Sequence, residues 1–265
     1  MKILFITSNL IGDSILSTGV LSHIIKSHKQ SKITVVVGPT ARPLFEYFPN
    51  IEQIITIKKK KYSLHWLNLW KILIFKKWDL IIDLRSSYIS YFLITKKRKI
   101  FKNNNEDIHQ IHKLTNFMDQ KKYLKPMIFI NEEIRDEAKN FVNNNTIIAI
   151  SPGGNWKPKI WPTENYNKLI KDLIKIYSLK KLHFLIVGSK KEEEEYYNQL
   201  SLNLEEDIII NFMGKSLIET FALLSYCKLF IGNDSGLMHL AASSNIPTIG
   251  LFGPTKDSLY APFGD

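Results

Sequence analysis

Four residue types that can act on a ligand lie close together in the second half of the sequence. The run GNDSGLMHLAASSNIP, residues 232–247, places Asp234, Ser235, Gly236 and His239 between two strongly apolar segments. A serine hydrolase does not fit, because its nucleophile elbow is G-x-S-x-G and an adjacent Asp–Ser pair lacks the ordered nucleophile, base and orienting acid. A strand, a tight turn and a helix instead aim backbone N–H groups at one spot, which suits a diphosphate. We therefore predict a ligand-binding turn, in which His239 either reaches the ligand or packs in the interior.

Two further loops carry groups that suit the same chemistry. The stretch PGGNWKPKIWP, residues 152–162, combines Gly153 and Gly154, which let a backbone approach an anion closely, with lysines that include Lys159. An ordinary proline–glycine turn with solvated lysines is the alternative. The stretch KKEEEEYYNQL, residues 190–200, opens with glutamates that suit the positive end of a helix dipole, and one of them could accept a hydrogen bond from a ribose.

The loop SNLIGDSILSTGV, residues 8–20, holds a single acidic residue. Gly12 allows a tight turn and Asp13 lies where a helix would begin. Because Asp is a common N-cap, the local pattern alone favours a helix cap over a catalytic base. The sequence has neither G-x-G-x-x-G nor the P-loop spacing, which argues against a dinucleotide-dependent dehydrogenase and a P-loop nucleotidase.

The elements that must position these loops are short, β-branched strands that alternate with helical stretches. Near-continuous apolar strands of this kind form parallel sheets with both faces covered, and ligands bind beyond their C-terminal ends. A polar segment, residues 131–145, separates two series of strands, so we predict two α/β domains, 1–145 and 146–265. The predicted strands are 2–7, 32–38, 53–57, 79–84, 146–151, 183–189, 208–212, 229–234 and 248–254.

Charge is distributed unevenly along the chain. Residues 1–125 carry 22 Lys and Arg against 8 Asp and Glu, a net charge of +14, whereas residues 126–265 carry 14 against 17, a net charge of −3. The basic half predicts contact with a membrane surface, an acidic substrate or nucleic acid, and a solvated lysine-rich surface explains the charge equally well. The single cysteine, Cys227, excludes an internal disulfide and indicates a reducing cytoplasm.

Membrane contact has one candidate segment. No apolar run reaches eighteen residues, so the sequence predicts no spanning helix. The stretch SLHWLNLWKILIFKKW, residues 63–78, mixes three tryptophans with lysines. This pattern is typical of a helix at a membrane interface, and it is equally typical of a buried amphipathic helix.

Several of these motifs together resemble glycosyltransferase family 9, whose best-known members are the ADP-heptose:lipopolysaccharide heptosyltransferases. GNDSGLMHLAA followed by PTIGLFGPT is similar to the D-[TS]-G-x-x-H signature of the family and the strand after it. The opening ILFITSNLIGDSILSTGVLSHI, the run DLIIDLRSS and the loop SPGGNWKPKIWP fall in the order the family has. The resemblance implies a GT-B fold, two Rossmann-like domains with parallel sheets facing a central cleft. The first domain would bind the acceptor and the second the nucleotide sugar.

The resemblance also implies roles for individual residues in an inverting transfer that needs no obligatory metal or other cofactor. Asp13 would be the general base that takes a proton from the acceptor hydroxyl, with Gly12 beside it at the acceptor site. Lys159 would neutralise the departing diphosphate, and Glu192 would hold the ribose. Such a displacement needs a base and a stabilised leaving group, and it needs no protein nucleophile. The other donor-binding residues would be Gly153, Gly154, Asp234, Ser235, Gly236 and His239.

The function expected from the sequence is transfer of a sugar, heptose from ADP-heptose, onto a lipopolysaccharide core or related surface glycan. The expected partners are the nucleotide-diphosphate sugar, an anionic glycolipid and the inner membrane surface, which the cytoplasmic enzyme would contact peripherally. No nucleic acid is expected, since no binding motif accompanies the lysines. The alternatives are another GT-B nucleotide-sugar enzyme such as an epimerase, and an inactive sugar-nucleotide-binding protein. The sequence ends at Asp265, soon after the GPT loop. Because the family continues further, we expect an incomplete second domain and weak activity.

Overall fold

The structure is a computed structural model that describes residues 1–59, 61–103, 107–143, 145–177, 182–201 and 208–264. The chain divides into two compact units, Met1–Phe129 and Ile130–Asp265. Each unit is built on one five-stranded sheet in which every strand pair is parallel. Among the described residues, no helix is both long enough and apolar enough to cross a membrane.

The first unit has the strand order β3-β2-β1-β4-β5. Its strands are β1 (Lys2–Ile6), β2 (Lys32–Val37), β3 (Ile51–Thr56), β4 (Trp78–Asp83) and β5 (Thr95–Ile100). Its α-helices are α1 (Ile11–Ser27), α2 (Leu64–Leu73) and α3 (Gln110–Phe117), and short 3₁₀ turns include Pro39–Phe45 and Tyr88–Phe92. Ile3 to Ile6 of the central strand are completely buried, as expected for a strand covered on both faces.

The second unit has the strand order β10-β9-β6-β7-β8. Its strands are β6 (Thr146–Ser151), β7 (Leu182–Ile186), β8 (Ile209–Asn211), β9 (Leu229–Asn233) and β10 (Thr248–Leu251). Its helices are α4 (Glu132–Val142), α5 (Thr163–Tyr177), α6 (Lys190–Glu192), α7 (Asn198–Ser201), α8 (Leu217–Leu224), α9 (Gly236–Ser243) and α10 (Asp257–Tyr260). A π-helical turn, Glu193–Tyr197, joins α6 to α7.

The strands predicted from the sequence are present, with ends that differ by a few residues. The sequence analysis missed β5, TKKRKI, because four of its six residues are basic and it has no apolar run. β5 lies at the edge of its sheet, where exposed lysines are common because they discourage further strand pairing. Helix α4 packs on α8 and belongs to the second unit, so the units separate before α4, whereas the predicted boundary at residues 145 and 146 lies after it.

Candidate functional site

Each unit has one place where strand order reverses, and this is where ligands bind in open parallel sheets. The reversal lies between β1 and β4 in the first unit and between β6 and β9 in the second. Ile6 pairs with Asp83 at the first reversal, and Ser151 pairs with Gly232 at the second. The loops and helix starts that follow these strands carry every predicted site residue except Glu192, which follows β7.

Asp13 lies in the first turn of α1, with Gly12 before it, and the N-cap of that helix is Leu10. The carboxylate accepts a hydrogen bond from the Ser8 hydroxyl, with 3.2 Å between Oγ and Oδ2. Burial raises the pKa of Asp13 above its ordinary value, while the Ser8 hydrogen bond and the positive charge of Arg85 act in the opposite direction. The helix-cap interpretation of Asp13 is therefore wrong. A half-buried carboxylate with a raised pKa has the properties of a general base.

Arg85 is a candidate functional residue that the sequence analysis missed. It follows β4 and is oriented by Asn9, whose Oδ1 accepts from Nη1 at 3.0 Å. The guanidinium carbon lies 5.0 Å from the centroid of the Trp66 ring, within range of a cation–π interaction. The guanidinium has five N–H donors in a fixed fork, so an arginine held in this way can bind an anionic group near Asp13. The only sequence signal was its place directly after a buried strand, in the run DLRSS.

The turn that presents Arg85 is held by a completely buried carboxylate, Asp83. Its Oδ1 accepts the backbone N–H of Arg85 at 2.8 Å, and its Oδ2 accepts the backbone N–H of Ser87 at 2.9 Å. The Ser90 hydroxyl donates to the same Oδ2 at 2.5 Å. A buried charge with this many donors is satisfied internally, so Asp83 shapes the loop.

A buried amide, Asn233, joins the loop after β6 to the end of β9 at the second reversal. Its Oδ1 accepts from the Trp161 backbone N–H and from the Tyr166 hydroxyl, both at 3.0 Å. Its Nδ2 donates to the carbonyl oxygens of Pro152 at 2.7 Å and Gly153 at 3.2 Å. The loop after β6 is therefore locked to the end of β9 by one side chain, which uses both its amide N–H group and its carbonyl oxygen.

The predicted Lys159 and Asp234 form an ion pair in this locked region. Lys159 Nζ lies 2.6 Å from Asp234 Oδ2, and the side chains are 24% and 7% exposed. The Thr255 hydroxyl donates to the same Oδ2, also at 2.6 Å. Gly253 packs so closely that a Cβ there would lie 2.5 Å from the Pro158 carbonyl oxygen. Residues from the loops after β6 and β10 thus converge on the Asp234 carboxylate after β9. The Lys159 ammonium has three N–H donors and can offer those not used by Asp234 to an anion.

Glu192 and Gly153 meet at the side of the same loop. A Cβ on Gly153 would clash with the carboxylate of Glu192 unless that side chain shifted. The other oxygen, Oε2, accepts the Ser189 backbone N–H at 2.6 Å and caps the start of α6. Gly154 has more space, since a Cβ there would lie 3.5 Å from Ile160. The structure therefore brings Glu192 to the predicted donor loop, and its role at a ribose stays a prediction.

The start of α9 offers the remaining predicted groups. Ser235 is the N-cap residue, but its side chain makes no capping hydrogen bond, and its buried hydroxyl oxygen has no hydrogen-bond partner among the described residues. Gly236 begins the helix. His239, one turn later, is 5% exposed and lies edge-on to Tyr260, with 6.4 Å between the ring centroids. His239 is therefore buried. Binding of an anion by Ser235, His239 and the first N–H groups of α9 stays a prediction.

Comparison with known proteins identifies relatives along the whole chain. The model of the family "Glycosyltransferase family 9 (heptosyltransferase)" matches residues 83–265. Lipooligosaccharide heptosyltransferase 2 of Campylobacter jejuni is 29% identical over 276 residues, which cover 99% of this chain and 85% of that protein.

Two solved structures share the fold. The E. coli ADP-heptose lps heptosyltransferase II superposes with a TM-score of 0.79 at 21% identity, covering 100% of this chain and 88% of that one. The E. coli heptosyltransferase WaaC with ADP has a TM-score of 0.76 at 18% identity, covering 100% of this chain and 91% of that one. The predicted GT-B class, with two Rossmann-like units, is confirmed.

Proposed function

Because the chain belongs to glycosyltransferase family 9, we propose that it transfers heptose from ADP-heptose onto the core of lipopolysaccharide or a related surface glycan. Proteins named heptosyltransferases match it over nearly its full length, and one structural neighbour was solved with ADP. The observation that carries the proposal is the Lys159–Asp234 pair at the second strand reversal, where three loops and the start of α9 converge.

The second unit contains the groups that would bind a nucleotide-diphosphate donor. Lys159, the N–H groups that begin α9 and the Ser235 hydroxyl, which has no hydrogen-bond partner in the described part of the chain, favour negative charge. Asp234, whose carboxylate also accepts a hydrogen bond from the Thr255 hydroxyl, holds the lysine side chain, so its ammonium is positioned before the ligand arrives. Glu192, beside Gly153, is the candidate for a ribose hydroxyl.

The first unit contains the groups that would bind and activate the acceptor. Asp13 takes the proton from the acceptor hydroxyl while that oxygen attacks the anomeric carbon of the sugar. The bond from the anomeric carbon to the diphosphate oxygen breaks, and its electron pair leaves with the nucleoside diphosphate, whose charge Lys159 neutralises. Arg85 binds an anionic group of the acceptor near the attacking hydroxyl, since its guanidinium is already oriented by Asn9 and Trp66.

The acceptor of such a reaction is an anionic glycolipid, which lies in a membrane. We therefore also propose that the enzyme works in the cytoplasm and contacts the surface of the inner membrane. The basic first unit, with a net charge of +14 over residues 1–125, supports contact with both the acceptor and the lipid.

Transfer is tested with purified protein, ADP-heptose and an acceptor prepared from cells that lack core heptose, dispersed in detergent. Mass spectrometry should show one added heptose on the acceptor, and ADP release should require the acceptor. Conversion of the donor to another sugar nucleotide without acceptor would instead support the epimerase alternative. Donor binding without turnover would support the inactive binding protein. Asp13→Asn is the matched control, because it removes the proposed base and leaves the donor-binding unit unchanged.

A further inference from the structure

Helix α2 exposes three large apolar residues on its solvent-facing side, beside Asn68 and Lys71. Leu69 and Leu73 pack into the core of the first unit. On its outer side, Leu64, Leu67 and Ile72 keep 48%, 49% and 48% of their surface exposed. A helix on the surface of a soluble domain normally presents polar residues there, because exposed apolar area is unfavourable in water.

A second apolar element lies next to α2. The turn Tyr88–Phe92 contacts α2, and its Ile89 enters the same core cluster as the helix, so both elements cover one face of the sheet. Tyr88 is 84% exposed, Phe92 is 67% exposed, and Phe75, just after α2, is 92% exposed. The six outward apolar side chains form what we call the α2 surface: Leu64, Leu67, Ile72, Phe75, Tyr88 and Phe92.

The surroundings of the α2 surface are basic. Residues 61–78 and 84–103 contain ten Lys and Arg and no Asp or Glu. Lys71 and Lys77 are exposed beside the apolar residues, and Arg98 of the adjacent β5 stacks on Tyr91. Asp79, at the edge of this region, is paired with Lys96 at 2.7 Å. The surface therefore combines exposed aromatic and aliphatic groups with uncompensated positive charge.

This combination fits one kind of partner better than others. Lysine is depleted in protein–protein interfaces, and two copies of this surface would bring like charges together. An anionic bilayer accepts apolar side chains at the level of its headgroups and attracts the lysines around them. We propose that the α2 surface docks on anionic lipid and thereby holds the first unit at the membrane. This proposal rests on the proposed function only for the reason why the protein would contact a membrane. The docking itself is argued from the exposed residues and the charge of the α2 surface.

The α2 surface also connects directly to the candidate acceptor site. Trp66 of α2 stacks on Arg85. Ser87, directly before the turn Tyr88–Phe92, donates its backbone N–H to the Asp83 carboxylate. A docked α2 therefore places the acceptor-binding residues near the headgroups, where the sugar portion of a glycolipid lies.

Docking is tested by co-sedimentation of the purified protein with phosphatidylcholine vesicles, with and without phosphatidylglycerol. Wild type should bind the phosphatidylglycerol vesicles, and its binding should weaken as salt is added. Phe75→Ser and Tyr88→Ser should each lower the partition coefficient about tenfold, because each removes one inserted aromatic group. Ile176→Ser is the matched control, since Ile176 is 71% exposed on α5 of the second unit.

Two double variants test how much the lysines contribute to docking. Lys71→Glu/Lys77→Glu should lower binding more than tenfold, because each anchored lysine contributes roughly fivefold to binding at an anionic surface. Lys171→Glu/Lys228→Glu makes the same charge change at exposed positions of the second unit and should lower binding much less.

The proposal is overturned if wild type binds neither kind of vesicle, or binds both equally well. It is also overturned if the control variants weaken binding as much as the α2 variants. A dimer in sedimentation velocity that Phe75→Ser dissociates, without vesicle binding, would assign the surface to a second copy. Transfer to the detergent-dispersed acceptor is measured in parallel. Its absence in wild type would contradict the proposed function, whatever the vesicles show.

Discussion

The most informative single change is Lys159→Ala, because it removes the cation that is paired with Asp234 where the loops after β6, β9 and β10 meet. The Lys159 side chain is 24% exposed, so water screens its charge only in part. A charge-assisted hydrogen bond to a diphosphate is worth about 1.5–3 kcal/mol in such a setting, which corresponds to roughly 10- to 150-fold in affinity.

The loss should fall near the upper end of that range because of Asp234. Its carboxylate, 7% exposed, is paired with Lys159 at 2.6 Å, and Lys159→Ala leaves it uncompensated next to the incoming anion. Asp234→Asn in the Lys159→Ala background removes that repulsion and should recover part of the affinity. The double variant should therefore bind ADP more tightly than Lys159→Ala alone, which is the sign of direct coupling.

Isothermal titration calorimetry with ADP measures these changes, with far-UV circular dichroism to verify that each variant is folded. Lys157→Ala is the matched control: Lys157 lies in the same loop and is exposed, so its loss should change the dissociation constant by less than about threefold. Unchanged affinity in folded Lys159→Ala would refute the reasoning. Equal losses in Lys157→Ala and Lys159→Ala would mean that the loop acts through overall charge and has no built diphosphate site.

Three further outcomes are expected. Asp13→Asn should lower kcat by about 10²–10⁴ without weakening ADP binding, because it removes proton transfer alone; near-normal kcat in a rate assay would exclude Asp13 as the base. The kcat/KM of wild type should fall with decreasing pH as Asp13 is protonated, and since Arg85 lowers the pKa of Asp13, Arg85→Met should move this limb to higher pH; a shift to lower pH would contradict the assignment. Gly19→Ala should destabilise the first unit by about 1–3 kcal/mol in urea unfolding, because overpacking costs that much and its Cβ would lie 2.1 Å from the Leu124 carbonyl oxygen. Gly154→Ala, whose Cβ meets only Ile160 at 3.5 Å, is the stability control and should unfold like wild type.

The sequence was sufficient for features that depend on neighbours along the chain. Nine of the ten strands in the described part of the chain follow from short apolar runs, because a strand that is buried on both faces is itself apolar in composition. The sites at the ends of β1, β6 and β9 follow from the rule that ligands bind beyond the C-terminal ends of parallel strands. β5 was not predictable in this way, because a basic edge strand is stabilised by its backbone pairing with β4 and has no apolar run of its own.

The local sequence pattern also could not distinguish between two structural roles of the same residue or segment. Asp13 has the sequence signature of a helix cap, and only the observed start of α1, with Leu10 as N-cap, shows that its side chain has another partner. Residues 63–78 allowed a buried helix or an interfacial one. In the structure α2 buries Leu69 on one side and exposes Leu67 on the other, so it combines features of both.

The partners within the site were decided by tertiary structure alone. Lys159 and Asp234 are 75 positions apart in the sequence, and Arg85 and Asn9 are 76 apart, so no local pattern connects them. Asn233 looks like an ordinary residue at the end of a strand, yet it fixes the loop after β6 because parallel pairing sets β6 beside β9. The sequence by itself determined which residue types reach the ends of the strands. The order of the strands in the two sheets decided which of those residues meet, because ion pairs and hydrogen bonds act only over a few ångströms.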